Sequence, residues 1–368
     1  MYNLCIRVLQ VIDKISVDSG VSSIVMNYYA RFEHDKINFD FMLNEDVSAG
    51  TRDYIESNGS RIYVMPNLKT VNVFRYIKSL TQFYKKHEYR IIHGHVVNSA
   101  VFYLGLARKK APIRIIHSHS TKLADIWWKR IRNRFLTRFI KLVANRFIAC
   151  SNEAAQFLYG KSNDATIINN AIDVDKFMFS ADKRKSIRRE LALEDKIVIG
   201  HVGRFIPLKN HGFLLDVFCE IRKTHGNTIL ILFGSGELFD KMKQKALGFG
   251  INEAVIFMGT KDNISDYYSA MDVFVLPSLF EGLPVTGVEA QANGLPCVFS
   301  DTVTREAQII GNCSFLPTND PVIWAENIMR LSKKTRNCVD KSQMSEYDVD
   351  VQAERLAKYY DILWKIQQ

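Results

Sequence analysis

The stretch DVFVLPSLFEGLPVTGVE, residues 272–289, leads from an apolar segment into two glutamates that are separated by seven residues. Its first part, DVFVLP, predicts a buried strand, because it is short, apolar on both faces and rich in Val and Phe. Pro284 suits the first position of a helix, and Gly294 suits the residue after that helix ends. We therefore expect Glu281 in the loop at the carboxyl end of the strand and Glu289 more than one turn into the helix.

The same succession of strand and helix recurs along the whole chain. The apolar segments are CIRVLQVI, FDFML, RIYVM, RIIHGH, IRIIHSH and RFIACS in the first half, and KIVIGHVG, TILILFGSG, AVIFMG, DVFVLPS and LPCVFS in the second. This alternation predicts two doubly wound α/β domains with parallel sheets, joined by a polar linker near residues 169–182. Because ligands of open α/β sheets collect at the carboxyl ends of the strands, the residues there are the candidate site.

Composition excludes several classes of protein. The 368 residues are 47% apolar and 24% charged, which is typical of globular domains and not of disordered or fibrous chains. The six cysteines show no CxxC spacing, so they predict reduced thiols and no zinc site. We expect a cytoplasmic protein, since the sequence shows neither a signal-peptide pattern nor the roughly 20 apolar residues of a spanning helix.

Positive charge is concentrated in the first half of the chain. Residues 1–180 carry 26 Lys and Arg against 15 Asp and Glu, and residues 121–147 alone carry eight basic residues and one acidic residue. Apolar side chains recur at helical spacing in that segment, so it predicts peripheral contact with anionic lipid at the inner face of the membrane. A helix that packs on its own sheet, with its cations in water, explains the same pattern equally well.

A second candidate site follows the first strand of the second domain. In IVIGHVGRFIPLKNHG, Gly203 ends a strand, Arg204 follows it, and Lys209 precedes a helix expected to begin near residue 211. Fixed cations beside a helix N-terminus favour a diphosphate group, although two solvated loop cations would give the same residues. Carboxylates accept hydrogen bonds from vicinal hydroxyls, so Glu281 and Glu289 are suited to hold two sugars of one ligand.

The FGSG segment at residues 233–236 resembles part of a dinucleotide-binding loop. It lacks the third glycine of that fingerprint, and a tight turn that lets a helix pack closely explains Gly234 and Gly236 at least as well. Asp173-Val174-Asp175 looks like a metal-binding DxD motif, but it falls in the linker. We interpret it as a capping or turn sequence.

These motifs together resemble one known family. The two glutamates with seven residues between them, the GR…K loop, INNAIDVDKF and IIHSHS are similar to those of the retaining family 4 glycosyltransferases of the GT-B fold, over nearly the whole chain. The resemblance implies two Rossmann-like domains that face each other across a cleft. Residues 1–170 would form the acceptor side, 171–350 would bind the nucleotide sugar, and 351–368 would be a helix that returns to the first domain.

The resemblance also implies roles for individual residues. The implied donor-binding residues are Gly20, Gly203, Arg204, Lys209, Glu281, Gly282, Leu283, Pro284 and Glu289. Among them, Arg204 and Lys209 neutralise the diphosphate, Glu289 holds the ribose, and Glu281 contacts the transferred sugar. Ser19 stands where the family often has a glycine, so Gly20 is the glycine expected near the ligands.

Two catalytic residues are implied, His119 near the reacting sugar and Glu281. A lone histidine is more often a core or loop residue, and we interpret His93 and His95 in this structural way. The family needs no bound metal or other cofactor, and retention is explained by a phosphate oxygen that takes the acceptor's proton. Two carboxylates would also fit a hydrolase acid and base pair, but Glu289 lies along a helix and is better placed to hold a diol.

The expected function is transfer of a hexose or N-acetylhexosamine from a nucleotide-diphospho-sugar, with UDP preferred as the nucleotide. The expected acceptor is a glycan or a lipid-linked sugar in the synthesis of a cell-surface polysaccharide such as a capsule. Alternatives are a GDP-mannose-dependent transferase and a non-catalytic protein that binds nucleotide sugars or polyanions. No nucleic-acid-binding motif is visible, so nucleic acid is not an expected partner.

Overall fold

The computed structural model describes residues 5–16, 19–68, 70–119, 137–161 and 164–366. The chain divides into two compact units, each built on one parallel sheet. The first unit contains the chain up to Ala171 and the segment that begins at Val349. The second unit runs from Ile172 to Asp348. The junction at Ala171 lies within the predicted linker, residues 169–182.

The first unit contains a sheet of parallel strands flanked by helices. Its strands are β1 (Ile6–Val11), β2 (Ile37–Leu43), β3 (Ile62–Val64), β4 (Ile91–Gly94), β5 (Ile113–Ser118), β6 (Arg146–Ala149) and β7 (Thr166–Ile167). Its helices before the junction are α1 (Gly20–Tyr29), α2 (Ala49–Ser57), α3 (Val73–Lys86), α4 (Ala100–Ala107), α5 (Ile140–Val143) and α6 (Asn152–Tyr159). The strand order among the described residues is β3-β2-β1-β4-β5-β6-β7, so the order reverses between β1 and β4.

The second unit repeats this arrangement. Its strands are β8 (Ile197–Val202), β9 (Thr228–Phe233), β10 (Val255–Gly259), β11 (Val273–Leu276), β12 (Cys297–Ser300) and β13 (Cys313–Leu316). Its helices are α7 (Val174–Phe177), α8 (Ala181–Glu190), α9 (His211–Thr224), α10 (Phe239–Gly248), α11 (Ile264–Ala270), α12 (Val285–Ala292) and α13 (Pro321–Ser332). The order is β10-β9-β8-β11-β12-β13, and it reverses between β8 and β11.

The last helix, α14 (Val349–Ile366), belongs to the first unit. Tyr360 on this helix is fully buried, and its hydroxyl accepts a hydrogen bond from the Gln10 amide of β1. Gln352 lies near its start and accepts a hydrogen bond from the backbone N–H of Asn169. The carboxyl-terminal segment therefore completes the core of the unit that the amino-terminal segment begins.

Alternating side chains of the second sheet fill two apolar cores. Phe274 and Leu276 of β11 lie in one core, and Val273 and Val275 lie in the other. Helices therefore cover both faces of this sheet, as the continuous apolar segments predict. The sequence pattern did not indicate β13, whose four residues are all only half-buried and include Ser314.

The first sheet departs from the predicted pattern on one face. Val8, Ile92 and Ile116 are buried apolar residues of its central strands, but Gln10 and His93, which are paired in register, are buried and polar. A mostly apolar strand in the sequence therefore does not exclude buried polar side chains on one face of the sheet. Among the described residues, no helix is both long enough and apolar enough to span a membrane.

Candidate active site

The predicted donor residues lie at the topological switch point of the second sheet. Arg204 and Lys209 follow β8, whereas Glu281 follows β11, and these two strands are neighbours. Strand order reverses here, so the connections from the two strands leave toward opposite faces and a crevice opens at their carboxyl ends. The fold therefore brings together two loops that are more than 70 residues apart in the sequence.

The two cationic side chains of the loop after β8 differ in their exposure to solvent. Arg204 is exposed, whereas the Lys209 side chain is only 15% exposed. Gly203 is needed for close packing, because a Cβ there would lie 2.9 Å from Nε2 of His201 and 3.2 Å from Cδ of Lys209. The helix after this loop, α9, begins at His211, as predicted.

The FGSG segment holds this loop in place. The N–H of Phe205 donates to the carbonyl of Ser235, and the carbonyl of Phe205 accepts from the N–H of Leu238. Gly234 and Gly236 have φ values of +128° and +149°, and a Cβ on Gly234 would lie 2.1 Å from the carbonyl oxygen of Gly203. The two glycines therefore allow backbone-to-backbone packing behind Arg204, which is the tight-turn role that the sequence allowed.

The two sides of the crevice are joined by an ion pair. Nζ of Lys209 lies 2.5 Å from Oε1 of Glu281, and the Glu281 side chain is 17% exposed. The N–H of Leu279 also donates to the carbonyl of Leu208, so the backbones of the two loops are in contact. Lys209 and Glu281 are therefore adjacent, and an anionic ligand at Lys209 would compete directly with the carboxylate.

Glu289 occupies a different position on α12. Its Oε2 accepts a hydrogen bond of 2.7 Å from the hydroxyl of Tyr268, which is fully buried on α11. Burial raises the pKa of Glu289 to about 7, although the Tyr268 hydrogen bond and the charge of Lys176 act in the opposite direction. The carboxyl group therefore changes charge near neutral pH.

The segment between the two glutamates forms the turn into α12. Gly282 is half-exposed, Leu283 and Pro284 are buried, and Pro284 caps the helix one residue before its first turn. Thr286 Oγ1 and Ser278 Oγ are buried and have no hydrogen-bond partner among the described residues. A buried hydroxyl without a hydrogen-bond partner is unfavourable. A ligand would reach these two hydroxyls only if the backbone of the turn moved.

Two histidines lie beneath the loop after β8. His201 and His211 are buried, their rings meet edge to face at 4.7 Å, and His211 stacks on Phe205 at 4.0 Å. Burial lowers the pKa of His201 to about 4 and that of His211 to about 2, and the charge of Lys209 adds to both effects. Both rings are therefore neutral under the cationic loop at physiological pH.

The predicted site residues of the first unit, the donor-binding Gly20 and the catalytic His119, follow β1 and β5. Gly20 is exposed at the first position of α1, and a Cβ there would meet no atom within 4 Å. Ser19 caps α1, since its hydroxyl accepts from the N–H of Ser22. The serine in place of a glycine thus has a local structural reason.

His119 lies just beyond β5 and is joined to a residue that we interpreted as structural. Its Nε2 lies 2.7 Å from Nδ1 of His95, and its Nδ1 lies 2.9 Å from Oδ1 of Asn170. Burial lowers the pKa of His119 to about 4. Both ring nitrogens are thus occupied by protein groups, and the ring is neutral at physiological pH.

Three histidines beside His119, of which His93 and His117 are buried and His95 is half-buried, invite comparison with a metal site. One ring nitrogen each of His93, His95 and His117 lies within 4.8 Å of the others. Tetrahedral zinc, with Zn–N bonds near 2.1 Å, would require ligand atoms about 3.4 Å apart. The rings of His93 and His95 instead stack at 4.4 Å with an angle of 24°, so they do not point toward one common position.

The DxD-like sequence has structural partners. The side chain of Asp173 accepts from the N–H of Lys176 and caps α7, and Asp175 pairs with Lys341 at 2.7 Å. The capping interpretation is confirmed by this geometry. Most of the predicted membrane-binding segment, residues 121–147, lies outside the described residues, so its contact with lipid stays a prediction.

Comparisons with known proteins agree with this architecture. The family model for glycosyl transferases group 1 matches residues 182–347, and the model for Glycosyltransferase Family 4 matches residues 47–176. EpsF of Bacillus subtilis (strain 168), which is named as a glycosyltransferase, is 33% identical over 344 residues, covering 90% of this chain and 88% of EpsF.

The chain is a family 4 glycosyltransferase. An Escherichia coli relative, UDP-Gal:alpha-D-GlcNAc-diphosphoundecaprenol alpha-1,3-galactosyltransferase, is 25% identical over 300 residues, which are 77% of this chain and 76% of the relative. The structure of Anabaena Alr3699/HepE in complex with UDP and glucose matches 96% of this chain and 99% of HepE with a TM-score of 0.77 at 16% identity. The GT-B fold and a glycosyltransferase role in glycan synthesis, both expected from the sequence, are thus confirmed.

Two side chains that contact candidate site residues of this glycosyltransferase were not predicted from the sequence. Tyr268 was not singled out, and only the packing of α11 against α12 shows that its hydroxyl contacts Glu289. The contact of His95 with His119 was also not foreseen, although the HxH spacing recurs at the ends of two neighbouring parallel strands. That repeat was a usable signal, because in-register parallel strands point equivalent residues toward the same face.

Replacement of Gly234 by alanine should distort the loop that carries Arg204. The added Cβ would lie 2.1 Å from a carbonyl oxygen at a φ that only glycine adopts easily, so we expect the free energy of unfolding to fall by about 1–3 kcal/mol. Urea unfolding measures this change. Gly226→Ala is the matched control, since a Cβ there meets no atom within 4 Å, and equal stability of the two variants would contradict the packing role.

Acid should destabilise the second unit through His211. The pKa is about 2 in the folded state and about 6.5 in the unfolded state, so the unfolded chain binds more protons and stability is lost as pH falls below 6.5. His211→Leu should therefore lose about 1 kcal/mol less stability than the parent between pH 7.5 and 5.5. Urea unfolding at both pH values tests this, with His225→Leu, a half-exposed histidine, as the control. An unchanged pH slope in His211→Leu would refute it.

Proposed function

We propose that the enzyme transfers a hexose or N-acetylhexosamine from a UDP-linked donor to a glycan or lipid-linked acceptor in cell-surface polysaccharide synthesis. The proposal includes retention of configuration at the sugar and independence of a bound metal ion. The observation that carries it is the meeting of the GR…K loop and the E-x7-E segment at one switch point, with Lys209 and Glu281 2.5 Å apart.

The charges at this switch point suit a nucleotide diphosphate. Arg204 is exposed and available to an anion, and Lys209 supplies a second cation a few residues away. Two fixed cations stabilise the negative charge that develops on a leaving diphosphate, which is the task that a metal ion performs in other enzymes. This chemistry supports metal independence for the transfer.

Glu281 and Glu289 have different partners and are suited to different hydroxyl groups of the donor. Glu281 touches Lys209, so a sugar on Glu281 would be joined directly to a phosphate on Lys209. Glu289 contacts the hydroxyl of Tyr268 instead, and its carboxylate is suited to the diol of the ribose. We assign the transferred sugar to Glu281 and the ribose to Glu289 on this basis.

UDP is preferred over GDP because of the relatives. The Escherichia coli enzyme is named for a UDP-galactose donor and a lipid-diphosphate acceptor, and HepE was solved with UDP and glucose. The groups placed at the switch point recognise phosphates and hydroxyls, which all nucleotide sugars share. A GDP-mannose-dependent transferase is therefore the second candidate for the donor.

Calorimetric titration with UDP and with GDP, each in the presence of EDTA, tests the donor site. We expect UDP to bind in EDTA and Arg204→Ala to weaken that binding by tenfold or more, because a charge-assisted contact to phosphate is removed. Lys241→Ala, which removes a solvent-facing cation on α10, is the control and should bind as the parent does. Binding of GDP alone would select the GDP-mannose alternative, and binding that requires added Mg²⁺ would overturn metal independence.

The pH dependence of donor binding tests Glu289. Ribose hydroxyls donate to the ionised carboxylate, so binding favours the form that predominates above a pKa of about 7. Affinity for a UDP-sugar should therefore rise roughly tenfold from pH 6 to pH 8, with release of a proton. A UDP-sugar is the right probe because its diphosphate is diesterified and does not titrate in this range.

Glu289→Gln should bind the same UDP-sugar more weakly, and its affinity should not change between pH 6 and pH 8. The amide keeps the size of the side chain but does not titrate, so the comparison isolates the carboxyl group. Titration calorimetry in two buffers of different ionisation enthalpy would count the released proton. A pH slope that persists in Glu289→Gln would assign the titration to another group.

A further inference from the structure

A continuous chain of hydrogen bonds runs through the polar face of the first sheet. His119 contacts Asn170 at 2.9 Å and His95 at 2.7 Å, and His95 in turn lies 2.8 Å from Oε1 of Gln10. The amide nitrogen of Gln10 donates to the hydroxyl of Tyr360 on α14 at 3.1 Å. We call Asn170, His119, His95, Gln10 and Tyr360 the relay.

The relay joins segments that are distant in the sequence. Gln10 lies in β1, His95 follows β4, His119 follows β5, Asn170 precedes the junction of the units, and Tyr360 lies in α14. Gln10, Asn170 and Tyr360 are each at most 4% exposed. Such a buried network is specific in geometry, because a member left without its partner is costly.

The imidazoles of the relay are neutral. Burial lowers the pKa of His119 to about 4, and burial together with His93 and His119 lowers the pKa of His95 well below its usual range. The described groups that face these rings are the imidazoles of His93 and His117 and the Tyr360 hydroxyl, and the relay contains no carboxylate or ammonium group. Each ring therefore carries one N–H donor and one bare nitrogen acceptor.

Neutrality couples the tautomers of the two rings. The contact joins Nδ1 of His95 to Nε2 of His119, and one of these two atoms has to carry the proton. The amide nitrogen of Gln10 donates to Tyr360, so its oxygen faces His95, and His95 carries its proton at Nε2 and accepts at Nδ1 from the Nε2–H of His119. Nδ1 of His119 is then the bare nitrogen, and the side-chain amide of Asn170 presents its N–H to it, which a half-turn of that amide allows. The two rings thus adopt the same tautomer, with the proton on Nε2.

We propose that His95, Asn170 and Gln10 are positioning residues that hold His119 in one ring orientation and one tautomer for glycosyl transfer. The two contacts on opposite sides of the His119 ring fix its plane. The side-chain amides of Asn170 and Gln10 bind the two outer ring nitrogens of the His119–His95 pair. Tyr360 ties this arrangement to the carboxyl-terminal helix. A side chain held by its neighbours needs no reorganisation when the substrate arrives.

The relay also limits what His119 does. Both nitrogens are occupied, so the ring is unable to take a proton from an acceptor hydroxyl without breaking a relay contact. His119 then acts as a fixed neutral group beside the reacting sugar, and the proton goes to another acceptor, such as the leaving phosphate of the proposed mechanism. This role rests on the proposed glycosyl transfer, whereas the coupling of tautomers does not.

Nitrogen-15 NMR of labelled imidazoles in the unliganded protein tests the coupling directly. At pH 7.5, His95 and His119 should each show one tautomer, and it should be the same one. In His95→Leu the His119 signals should change toward a mixture of tautomers, and in the control His201→Leu they should stay. His201 is a buried ring of the second unit and lies outside the relay. Opposite tautomers in the parent, or unchanged His119 signals in His95→Leu, would overturn the relay.

Kinetics with UDP-glucose, UDP-galactose or UDP-N-acetylglucosamine, whichever binds, test positioning through the release of UDP. His95→Leu should lower kcat by about 10- to 100-fold and leave the donor KM within about twofold, because misplacement of a reacting group affects the chemical step. His95→Asn, whose amide replaces Nδ1, should recover most of the rate. Equal rates in the parent and His95→Leu, or equal losses in His95→Asn and His95→Leu, would contradict the assignment.

Two further comparisons keep the test decisive. If His95→Leu does not fold, Asn170→Ala removes the contact on the other side of the His119 ring and should give the same change in the His119 signals and in kcat. If the parent releases no UDP from any of the three donors, the proposed function fails, and the NMR result still decides whether the relay exists. Failure of the relay and failure of the proposed function are therefore distinguishable.

Discussion

The reversal of strand order in each parallel sheet is the constraint on which the candidate site depends. A right-handed connection takes the chain after β8 to one face of the sheet and the chain after β11 to the other, so the two loops separate and leave a crevice. The GR…K loop and the first glutamate of the E-x7-E segment are far apart in the chain and meet only because β8 and β11 are neighbours. Gly234 and Gly236, which follow the adjacent strand β9, let the backbone of the Arg204 loop pack against them. A Cβ at either glycine would collide with the backbone of Gly203 or Phe205.

The charged groups of this candidate site are held in different ways. Arg204 is exposed to water, whereas the Lys209 side chain is only 15% exposed and is paired with Glu281. Glu289 on α12 is half-buried, and burial raises its pKa to about 7, so its charged form is costly near neutral pH. A diol bound as proposed would stabilise the ionised carboxylate of Glu289, and this would couple sugar recognition to the loss of a proton.

The sequence predicted the fold and the positions of the candidate donor residues more completely than it predicted the side chains that contact those residues. The strands, the start of α9 at His211 and the positive φ of Gly294 after α12 follow from local patterns of apolar residues, proline and glycine. The contact between Tyr268 and Glu289 does not, because it depends on how two helices pack. The link between His95 and His119 was equally hidden, since a buried polar layer on a sheet looks like an apolar strand until the register of β4 and β5 is known. The short strand β13 was missed for a related reason, because its half-buried residues give no apolar run.

Both units place neutral histidines beneath the loops at the carboxyl ends of their central strands. A buried ammonium or guanidinium group without a partner would lose several kcal/mol of hydration, whereas a neutral imidazole loses far less and still offers one donor and one acceptor. In the second unit His201 and His211 fill the space under the cationic loop without adding to its charge. In the first unit four histidines stack beneath the switch point, and two of them belong to the relay. Such rings keep their direction only if a neighbour specifies which nitrogen carries the proton, and the amides of Asn170 and Gln10 are the groups that provide this specification for His119.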